Sequence, residues 1–278
     1  MSYFSAVILG LAQGFAEFLP ISSSGHLALL EHFFKIEPDN VLAFAVLLHL
    51  GTLFSVVAIY YKDIWNMIRE FFRMIGDIVR GKGPGIKDNI DRRIMVMIIV
   101  ATIPTGVIGV LFNDFFSSLY FSFFAIGGGL IFTGTILFVS ERFGKNKNGA
   151  LELKAGHAVL VGICQGIAIW PGISRSGSTL FGGLISGLKR EFAVKYAFLI
   201  SLPSILGSVV LEAPAAFDGD MNPADFGPII IGVLIAAISG FIAIKTMIRI
   251  VSKQKLIYFS VYTWTLGIVV LAYNFFIL

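Results

Sequence analysis

A carboxylate and a carboxamide interrupt the first apolar stretch of the chain. Glu17 lies in the segment QGFAEFLP, and Gln13 precedes it by four residues, so a helix would place both side chains on one face. A carboxylate within apolar, membrane-type sequence costs at least about 2.5 kcal/mol, so a functional role is the default explanation. The two residues could hold a divalent cation, orient a water molecule or accept a proton. The structural alternative is a pair that satisfies backbone groups at a helix break.

A run of hydroxyl groups that ends in a histidine follows Pro20. Residues 22–26 read SSSGH, and a helix starting within them would present free N–H groups and hydroxyls, which together form an anion site. Ser23 and His26 are three residues apart and can face one cavity, as a nucleophile and its base require. The structural alternatives are serine capping of a helix and a histidine satisfied within the core. The remaining histidines, among them His49, are interpreted as core or solvated residues.

A second polar run carries an isolated arginine. Residues 174–179, SRSGST, follow a Pro-Gly pair and contain Arg175, which lies apart from the basic segments of the chain. Its planar guanidinium suits bidentate binding of a phosphate or a carboxylate. The surrounding hydroxyls and glycines favour an anionic ligand. The structural alternative is a salt bridge to Glu17, and the two roles are compatible in a resting state.

The two polar runs belong to copies of one element. Residues 10–26, GLAQGFAEFLPISSSGH, align without a gap with residues 162–178, GICQGIAIWPGISRSGS, and each copy is an apolar helix pattern broken by proline. The copies differ in chemistry, because the second one replaces Glu17, Ser23 and His26 with Ile169, Arg175 and Ser178. Joined in one pocket, they would supply a carboxylate, a nucleophile, a base and a cation, which are the parts of phosphoryl transfer. The apolar surroundings indicate that the rest of the substrate is lipid.

The composition predicts an integral membrane protein. Of 278 residues, 56% are hydrophobic and 14% are charged, against about 25% charged in a soluble domain, and the mean hydropathy is +0.87. Six apolar runs are long enough to cross a bilayer, at about 41–61, 94–112, 122–140, 196–212, 228–250 and 258–278. Because the basic residues are confined to a few loops between these runs, we expect no nucleic-acid partner. The single cysteine, Cys164, is interpreted as a packing residue.

Charge bias predicts an inverted topology. Nineteen of the 21 Lys and Arg residues lie in segments 62–93, 141–157, 189–195 and 245–255, whereas the other connections are acidic. The positive-inside rule places the basic segments in the cytoplasm. The apolar stretch 158–188 must then enter and leave on the cytoplasmic side, as a re-entrant helical hairpin. The first copy, about 1–30, would re-enter from the outside.

The predicted fold is an all-α integral membrane protein with six membrane-spanning helices and two re-entrant helical hairpins. Three crossings separate the hairpins, so the two halves have opposite orientations and form an inverted-topology repeat. We expect a single membrane domain, 1–278, with repeats at about 1–140 and 153–278. Segment 62–93 has no equivalent in the second half. Its apolar residues recur at helical spacing among charges, which predicts an amphipathic insertion on the cytoplasmic face.

Both motifs resemble those of the undecaprenyl-diphosphate phosphatase family, also called the bacitracin-resistance family. The first motif is Gln13-Gly14-x-x-Glu17-Phe18-Leu19-Pro20-x-Ser22-Ser23-x-Gly25-His26, and the second is Pro171-Gly172-x-Ser174-Arg175-Ser176-Gly177-x-Thr179. The likeness covers essentially the whole chain, including HLGT at 49–52. The resemblance implies hydrolysis of the C55 isoprenyl diphosphate to the monophosphate, which recycles the lipid carrier for peptidoglycan synthesis and confers bacitracin resistance. It also implies the bacterial plasma membrane, an active site open to the external side and contact with membrane lipids. A homodimer is left open.

The resemblance also implies roles for individual residues. It assigns Glu17 to metal binding or acid–base work, makes Ser23 and His26 catalytic, and lets Arg175 grip the diphosphate. The implied diphosphate-binding set comprises Ser22, Ser24, Gly25, Ser174, Arg175, Ser176 and Thr179. The implied metal is Mg²⁺ or Ca²⁺ at Gln13 and Glu17. The family accepts Glu or Gln at position 13, and this chain has Gln, so substrate oxygens would complete the coordination.

Two mechanisms and two functions remain as hypotheses at this point. In the first mechanism, Ser23 attacks the terminal phosphorus while His26 takes its proton, and Arg175 with hairpin N–H groups stabilises the equatorial oxygens. In the second, His26 is the nucleophile and Ser23 positions the substrate. Because inverted repeats with broken helices are typical of secondary transporters, the alternative function is a lipid-phosphate flippase that uses the same anion site.

Overall fold

The computed structural model describes residues 2–35, 38–144, 147–216 and 226–276, without the side chains of residues 38–43 and 212–216. This part of the chain forms helices α1 (Tyr3–Phe18), α2 (Ser23–Phe34), α3 (Pro38–Val79), α4 (Ile90–Leu111), α5 (Asn113–Ser118), α6 (Phe123–Phe143), α7 (Ala155–Ile167), α8 (Arg175–Ile185), α9 (Arg190–Ala216), α10 (Phe226–Ser252) and α11 (Ile257–Phe276). Outside them, Asn148 and Leu188 form an isolated bridge. The all-α prediction is confirmed.

Six of these helices are long and apolar enough to cross a bilayer. They lie within α3, α4, α6, α9, α10 and α11, and their apolar segments range from 20 to 36 residues, against about 20 needed for one crossing. Each contains one of the six runs predicted from the sequence. The protein is therefore an all-helical, multi-pass membrane protein. The short helix α5 was not predicted.

The four remaining helices form two broken pairs, α1–α2 and α7–α8. The longest of the four, α1, has 16 residues and measures about 24 Å, which is shorter than the roughly 30 Å hydrocarbon core. The first pair breaks at residues 19–22, which include Pro20, and the second breaks at residues 168–174, which include Pro171 and Gly172. Both breaks lie at the prolines from which the sequence predicts them.

The two breaks reach their geometry through different residues. In the second break Gly172 has φ +88°, which glycine adopts without strain. The aligned residue in the first break is Pro20, whose ring fixes φ near about −65°. The positive φ is instead found at Ser22, at 72°, a conformation that costs on the order of 1–3 kcal/mol for a residue other than glycine. Burial of Ser22 and a hydrogen bond from the Gly25 N–H to its Oγ, 3.2 Å long, hold it there.

Each broken pair packs against a long helix of the other half of the chain. Helix α1 lies along α10, and α7 lies along α4; α6 pairs with α11, and α3 with α9. Small residues allow these close approaches, as is common between membrane helices. A Cβ at Gly10 would lie 3.2 Å from the Cα of Gly232, and a Cβ at Gly162 would lie 2.9 Å from the carbonyl carbon of Ala101.

Helix α6 holds the second break in place. The Thr133 hydroxyl donates to the Gly172 carbonyl at 3.1 Å and accepts the N–H of Ser174 at 2.9 Å. The Trp170 indole donates to the Ala125 carbonyl at 3.0 Å. The two Thr133 bonds satisfy backbone groups that the helix break leaves free, which is a requirement for irregular backbone among apolar helices, and the indole bond fixes the turn against α6.

Helix α3 changes direction where the predicted span ends. It has 42 residues and departs from helical geometry at Tyr60 (φ −108°, ψ 21°), then continues to Val79. The amphipathic insertion predicted at 62–93 is therefore continuous with the preceding span over its first 18 residues (62–79). Its placement on the cytoplasmic face stays a prediction.

The contact of α6 with the second break can be tested with two neighbouring glycines. A Cβ at Gly129 would lie 2.7 Å from the carbonyl carbon of Gly172, whereas a Cβ at Gly128 meets no described atom within 4 Å. Gly129→Ala should therefore cost about 1–3 kcal/mol through overpacking, against a helix-propensity gain of about 1 kcal/mol that both variants share. We expect a lower thermal unfolding midpoint in detergent for Gly129→Ala and an unchanged or higher one for Gly128→Ala. Equal unfolding midpoints for the two variants would contradict the close contact between Gly129 and Gly172.

Candidate active site

The carboxylate of Glu17 joins the two broken helix pairs. Glu17 is 5% exposed, lies near the C-terminal end of α1, and accepts a hydrogen bond from the Arg175 guanidinium on Oε1. Its Oε2 accepts the Ser23 hydroxyl at 2.6 Å and the Gln13 amide at 3.1 Å. The buried acid thus binds two residues of its own copy, Gln13 and Ser23, and one residue of the second copy, Arg175.

Arg175 is positioned by the start of α8 and remains accessible. It is the first residue of that helix, and its Nη1 donates to the carbonyl of Ser201 on α9 at 3.4 Å. Its side chain is 20% exposed, whereas that of Glu17 is 4% exposed. An anion can therefore approach the guanidinium from the open side while the carboxylate stays covered.

The two helix N-termini beside this ion pair are built alike. Ser22 caps α2 by accepting the Gly25 N–H, and its Oγ lies 3.3 Å from that of Ser24. Ser174 caps α8 by accepting the Gly177 N–H at 3.1 Å, and its Oγ lies 3.2 Å from that of Ser176. Each N-terminus therefore carries backbone donors and hydroxyls, which suit an anion.

Each N-terminus also packs against the opposite break. A Cβ at Gly25 would lie 3.2 Å from the Cα of Gly172, and a Cβ at Gly177 would lie 3.3 Å from the Cβ of Pro20. The Ser176 hydroxyl donates to the carbonyl of Leu19 in the first break at 3.2 Å. Gly25 and Gly177 thus lie where the two turns approach each other closely.

Thr179, predicted to bind diphosphate, is buried one turn into α8. Its hydroxyl donates to the Arg175 carbonyl oxygen at 2.9 Å and lies 3.2 Å from the Ser176 carbonyl oxygen. These bonds stay within the helix, so they orient the first turn of α8 and do not reach Glu17.

His26 has different partners from those expected. Its Nδ1 lies 2.8 Å from the Ser22 carbonyl oxygen, so this nitrogen carries a proton. Its Nε2 lies 2.7 Å from the hydroxyl of Tyr262 on α11, and the two rings stack at 5.7 Å between centroids. Both ring nitrogens are therefore engaged. The expected bond between Ser23 and His26 does not form, because the Ser23 hydroxyl donates to Glu17 instead.

Sequence reasoning missed three residues around the site. Tyr262 and Thr133 lie in apolar spans far from the motifs, and nothing in the sequence marks them. His49, interpreted from the sequence as a core residue, has its Nδ1 2.8 Å from the Ala45 carbonyl oxygen, and Glu17 is among the groups on which its charge would act.

The second copy has the same scaffold without the acid. Gln165, aligned with Gln13, donates to the hydroxyls of Thr105 at 3.2 Å and Ser204 at 2.7 Å. The position equivalent to Glu17 is Ile169. Among the described residues, the Oε1 atoms of Gln13 and Gln165 are both buried without a hydrogen-bond partner.

The described residues contain no cluster of three or more His, Cys, Asp or Glu side chains that could hold a metal. Gln13 donates its amide N–H to the Glu17 carboxylate, so a flip of the carboxamide would bring its buried, unpartnered Oε1 to the carboxylate. Two oxygen ligands suit Mg²⁺ or Ca²⁺ where substrate phosphates supply the others.

Comparison with known proteins identifies the family. The family model described as "Bacitracin resistance protein BacA" matches residues 6–269. The chain belongs to this family. It is 45% identical over 274 residues to an undecaprenyl-diphosphatase of Alkaliphilus metalliredigens, with 99% of each chain covered. It is 41% identical to one of Carboxydothermus hydrogenoformans (98% and 97% covered) and 38% identical to one of Methanobrevibacter smithii (97% of each). The resemblance found in the motifs is confirmed.

Proposed function

We propose that this protein hydrolyses undecaprenyl diphosphate to undecaprenyl phosphate and inorganic phosphate. The observation that carries the proposal is the meeting of Arg175, Glu17 and Ser23 at the two helix breaks. Relatives that match nearly the whole chain are named undecaprenyl-diphosphatases. The reaction would recycle the lipid carrier for peptidoglycan synthesis and confer resistance to bacitracin.

In the proposed first step, Ser23 is the nucleophile. Its Oγ attacks the terminal phosphorus, the bridging P–O bond breaks, and undecaprenyl phosphate leaves. The contact at 2.6 Å makes Glu17 the acceptor of the Ser23 proton, in place of His26. Water then hydrolyses the phosphoserine. Histidine attack stays as the alternative, although both nitrogens of His26 have partners in the resting arrangement.

Arg175 and the two helix N-termini would bind the diphosphate. The terminal phosphate would draw Arg175 away from Glu17, which frees the carboxylate to accept a proton. Guanidinium and N–H donors around the equatorial oxygens then stabilise the charge of the transition state, which is the main requirement in phosphoryl transfer. Ser22, Ser24, Gly25, Ser174 and Ser176 line these N-termini, and Thr179 orients α8 from behind. All of these groups belong to one chain, so the proposed chemistry requires no second copy.

A divalent cation, Mg²⁺ or Ca²⁺, is part of the proposal. After a flip of the Gln13 carboxamide, its unpartnered Oε1 and the Glu17 carboxylate would hold the ion, together with diphosphate oxygens. When bound, it would neutralise negative charge on the diphosphate.

We further propose that the two broken pairs are re-entrant hairpins of an inverted repeat, with halves at about 1–140 and 153–278. The reciprocal packing supports this arrangement, since α1 lies along α10 of the second half and α7 along α4 of the first. A two-fold axis in the membrane plane produces such exchanged partners. The basic segments would lie in the cytoplasm of a bacterial cell and the site would open to the outer face of the plasma membrane.

Phosphate release from undecaprenyl diphosphate by the purified protein in detergent tests the activity. Ser23→Ala and Arg175→Ala should each lower the rate by at least about 10²–10³-fold, the usual effect of removing one group that stabilises the transition state. Ser178→Ala is the matched control, because Ser178 is buried in α8 and its hydroxyl has no partner among the described residues. We expect it to retain activity.

The same preparation distinguishes the alternatives. Acid-stable phosphoserine after a rapid quench supports Ser23 as nucleophile, and an acid-labile phosphohistidine supports His26. If the native protein releases no phosphate but scrambles the lipid in liposomes, the flippase replaces the hydrolase.

Tyr262 offers a test of the role of His26. If His26 is the nucleophile, Tyr262→Phe, which removes the hydroxyl beside Nε2, should lower kcat by about 10–100-fold with little change in KM. If Ser23 is the nucleophile and Glu17 the base, the same change should leave kcat nearly unchanged. Tyr258→Phe, one turn earlier and exposed on α11, should leave kcat unchanged. In a His26→Ala background, Tyr262→Phe should have no further effect, because the two residues act as a unit. Additive losses would refute the coupling.

Cysteine labelling tests the topology. In a Cys164→Ala background, Lys35→Cys at the end of α2 and Lys147→Cys before α7 both place a thiol at an exposed position. An impermeant maleimide should label the first from the outside of intact cells and the second in inverted vesicles alone. Labelling of both from one side would rule out three crossings between them.

A further inference from the structure

The second part of α3, after Tyr60, borders an open groove that contains none of the residues around Glu17. The groove has a volume of about 600 Å³ and lies between this helix and Arg92 at the start of α4. One wall is apolar, with Trp65, Ile68 and Phe72 exposed by 64%, 44% and 67%. Large apolar side chains exposed together mark a surface that meets a partner or a lipid.

The length of α3 puts this wall beside the membrane surface. At about 1.5 Å per residue, 42 residues measure about 63 Å, roughly twice the thickness of the hydrocarbon core. The residues after Tyr60 therefore run past the hydrocarbon or along its boundary, where headgroups and the first acyl carbons are both within reach.

The same wall also carries excess positive charge, because Arg69 and Arg73 lie on α3 among these apolar residues and Arg80 directly follows its end. Arg73 and Arg92 are compensated, because the buried Glu70 accepts hydrogen bonds from both, at 2.6 and 2.9 Å, and Asp77 accepts Arg92 at 2.7 Å. Among the described residues, the two other lining arginines, Arg69 and Arg80, form no ion pair with a carboxylate, and they interact with Asp91 and Asp77 only at longer range. Arg69 also donates to the amide oxygen of Asn66 at 3.4 Å.

We propose that this groove binds an anionic glycerophospholipid of the adjacent leaflet. Its phosphate would lie between Arg69 and Arg80, whose guanidinium groups suit phosphate oxygens, and an acyl chain would cover Trp65 and Phe72. A lipid matches the groove because one molecule joins an acidic group to an apolar chain, as the lining combines arginines with exposed apolar side chains. A zwitterionic lipid would bring its own cation toward the arginines. The proposal is independent of the phosphatase activity.

Tryptophan quenching by brominated lipids provides the test. The chain has three tryptophans, so the difference between the native protein and Trp65→Phe isolates the signal of Trp65. The full-length protein is reconstituted in phosphatidylcholine vesicles that contain an equal mole fraction of dibrominated phosphatidylglycerol or dibrominated phosphatidylcholine. We expect the phosphatidylglycerol to be enriched beside Trp65, by roughly fivefold for each uncompensated arginine.

The control is a pair of charge changes elsewhere in the same segment. Arg69→Gln with Arg80→Gln should abolish the enrichment, whereas Lys62→Gln with Lys87→Gln, equally exposed but outside the groove, should retain it. All four positions are exposed, so phosphate release should be unchanged in both variants. If both pairs of substitutions lower the enrichment equally, general surface potential explains it and the proposed site is wrong. No enrichment in the native protein would also overturn it and leave a protein segment or a second copy as the occupant.

Discussion

The contact between Arg175 and Glu17 is the constraint on which the rest of the structure depends. A carboxylate buried among apolar helices is tolerated when a cation and hydrogen-bond donors surround it, and removal of one partner from such a pair typically costs about 3–5 kcal/mol. Glu17 precedes the first break by less than a helical turn, and Arg175 follows the second break directly. The pair can form only if both helices stop where they do and the two turns meet, as the contacts of Gly25 with Gly172 and Gly177 with Pro20 show.

The same ion pair explains how one pocket could be both stable and reactive. In the resting arrangement Glu17 is saturated by Arg175, Ser23 and Gln13. On the proposed function, a phosphate is the stronger partner for the guanidinium, because it offers several charged oxygens in a fork-shaped geometry. Substrate binding would thus release the carboxylate at the moment when the serine needs a base. The uneven exposure of the two side chains supports this order, since the Arg175 side chain is 20% exposed and that of Glu17 is 4% exposed.

Local patterns predicted much of this arrangement, and long-range packing decided the rest. The prolines marked both breaks, the four-residue spacing placed Gln13 beside Glu17, and the isolated position of Arg175 indicated an acidic partner or an anion. Spacing alone could not decide whether Ser23 turns toward His26 or Glu17, because both lie within reach of a helix N-terminus. The partner of His26 comes from α11, where Tyr262 resembles any other aromatic residue of a span. The positive φ of Ser22 is a consequence of proline at the position that glycine occupies in the second copy.

The differences between the copies follow from electrostatics. Ile169, which is aligned with Glu17, follows the end of α7, is 39% exposed and lies beside Gly109 of α4, so an acid there would not share the buried environment of Glu17. Had both copies retained an arginine at the start of the second helix, two guanidinium groups would compete for Glu17. In the alignment of the two copies, Glu17 corresponds to Ile169 and Ser23 corresponds to Arg175. Each charge therefore occurs once, and each is neutralised by the residue from the other copy. The duplicated scaffold therefore provides two serine-capped helix N-termini of similar construction. On the proposed function, the substitutions place the proton acceptor and the nucleophile in one copy and the cation in the other, so neither copy alone would hold a complete site.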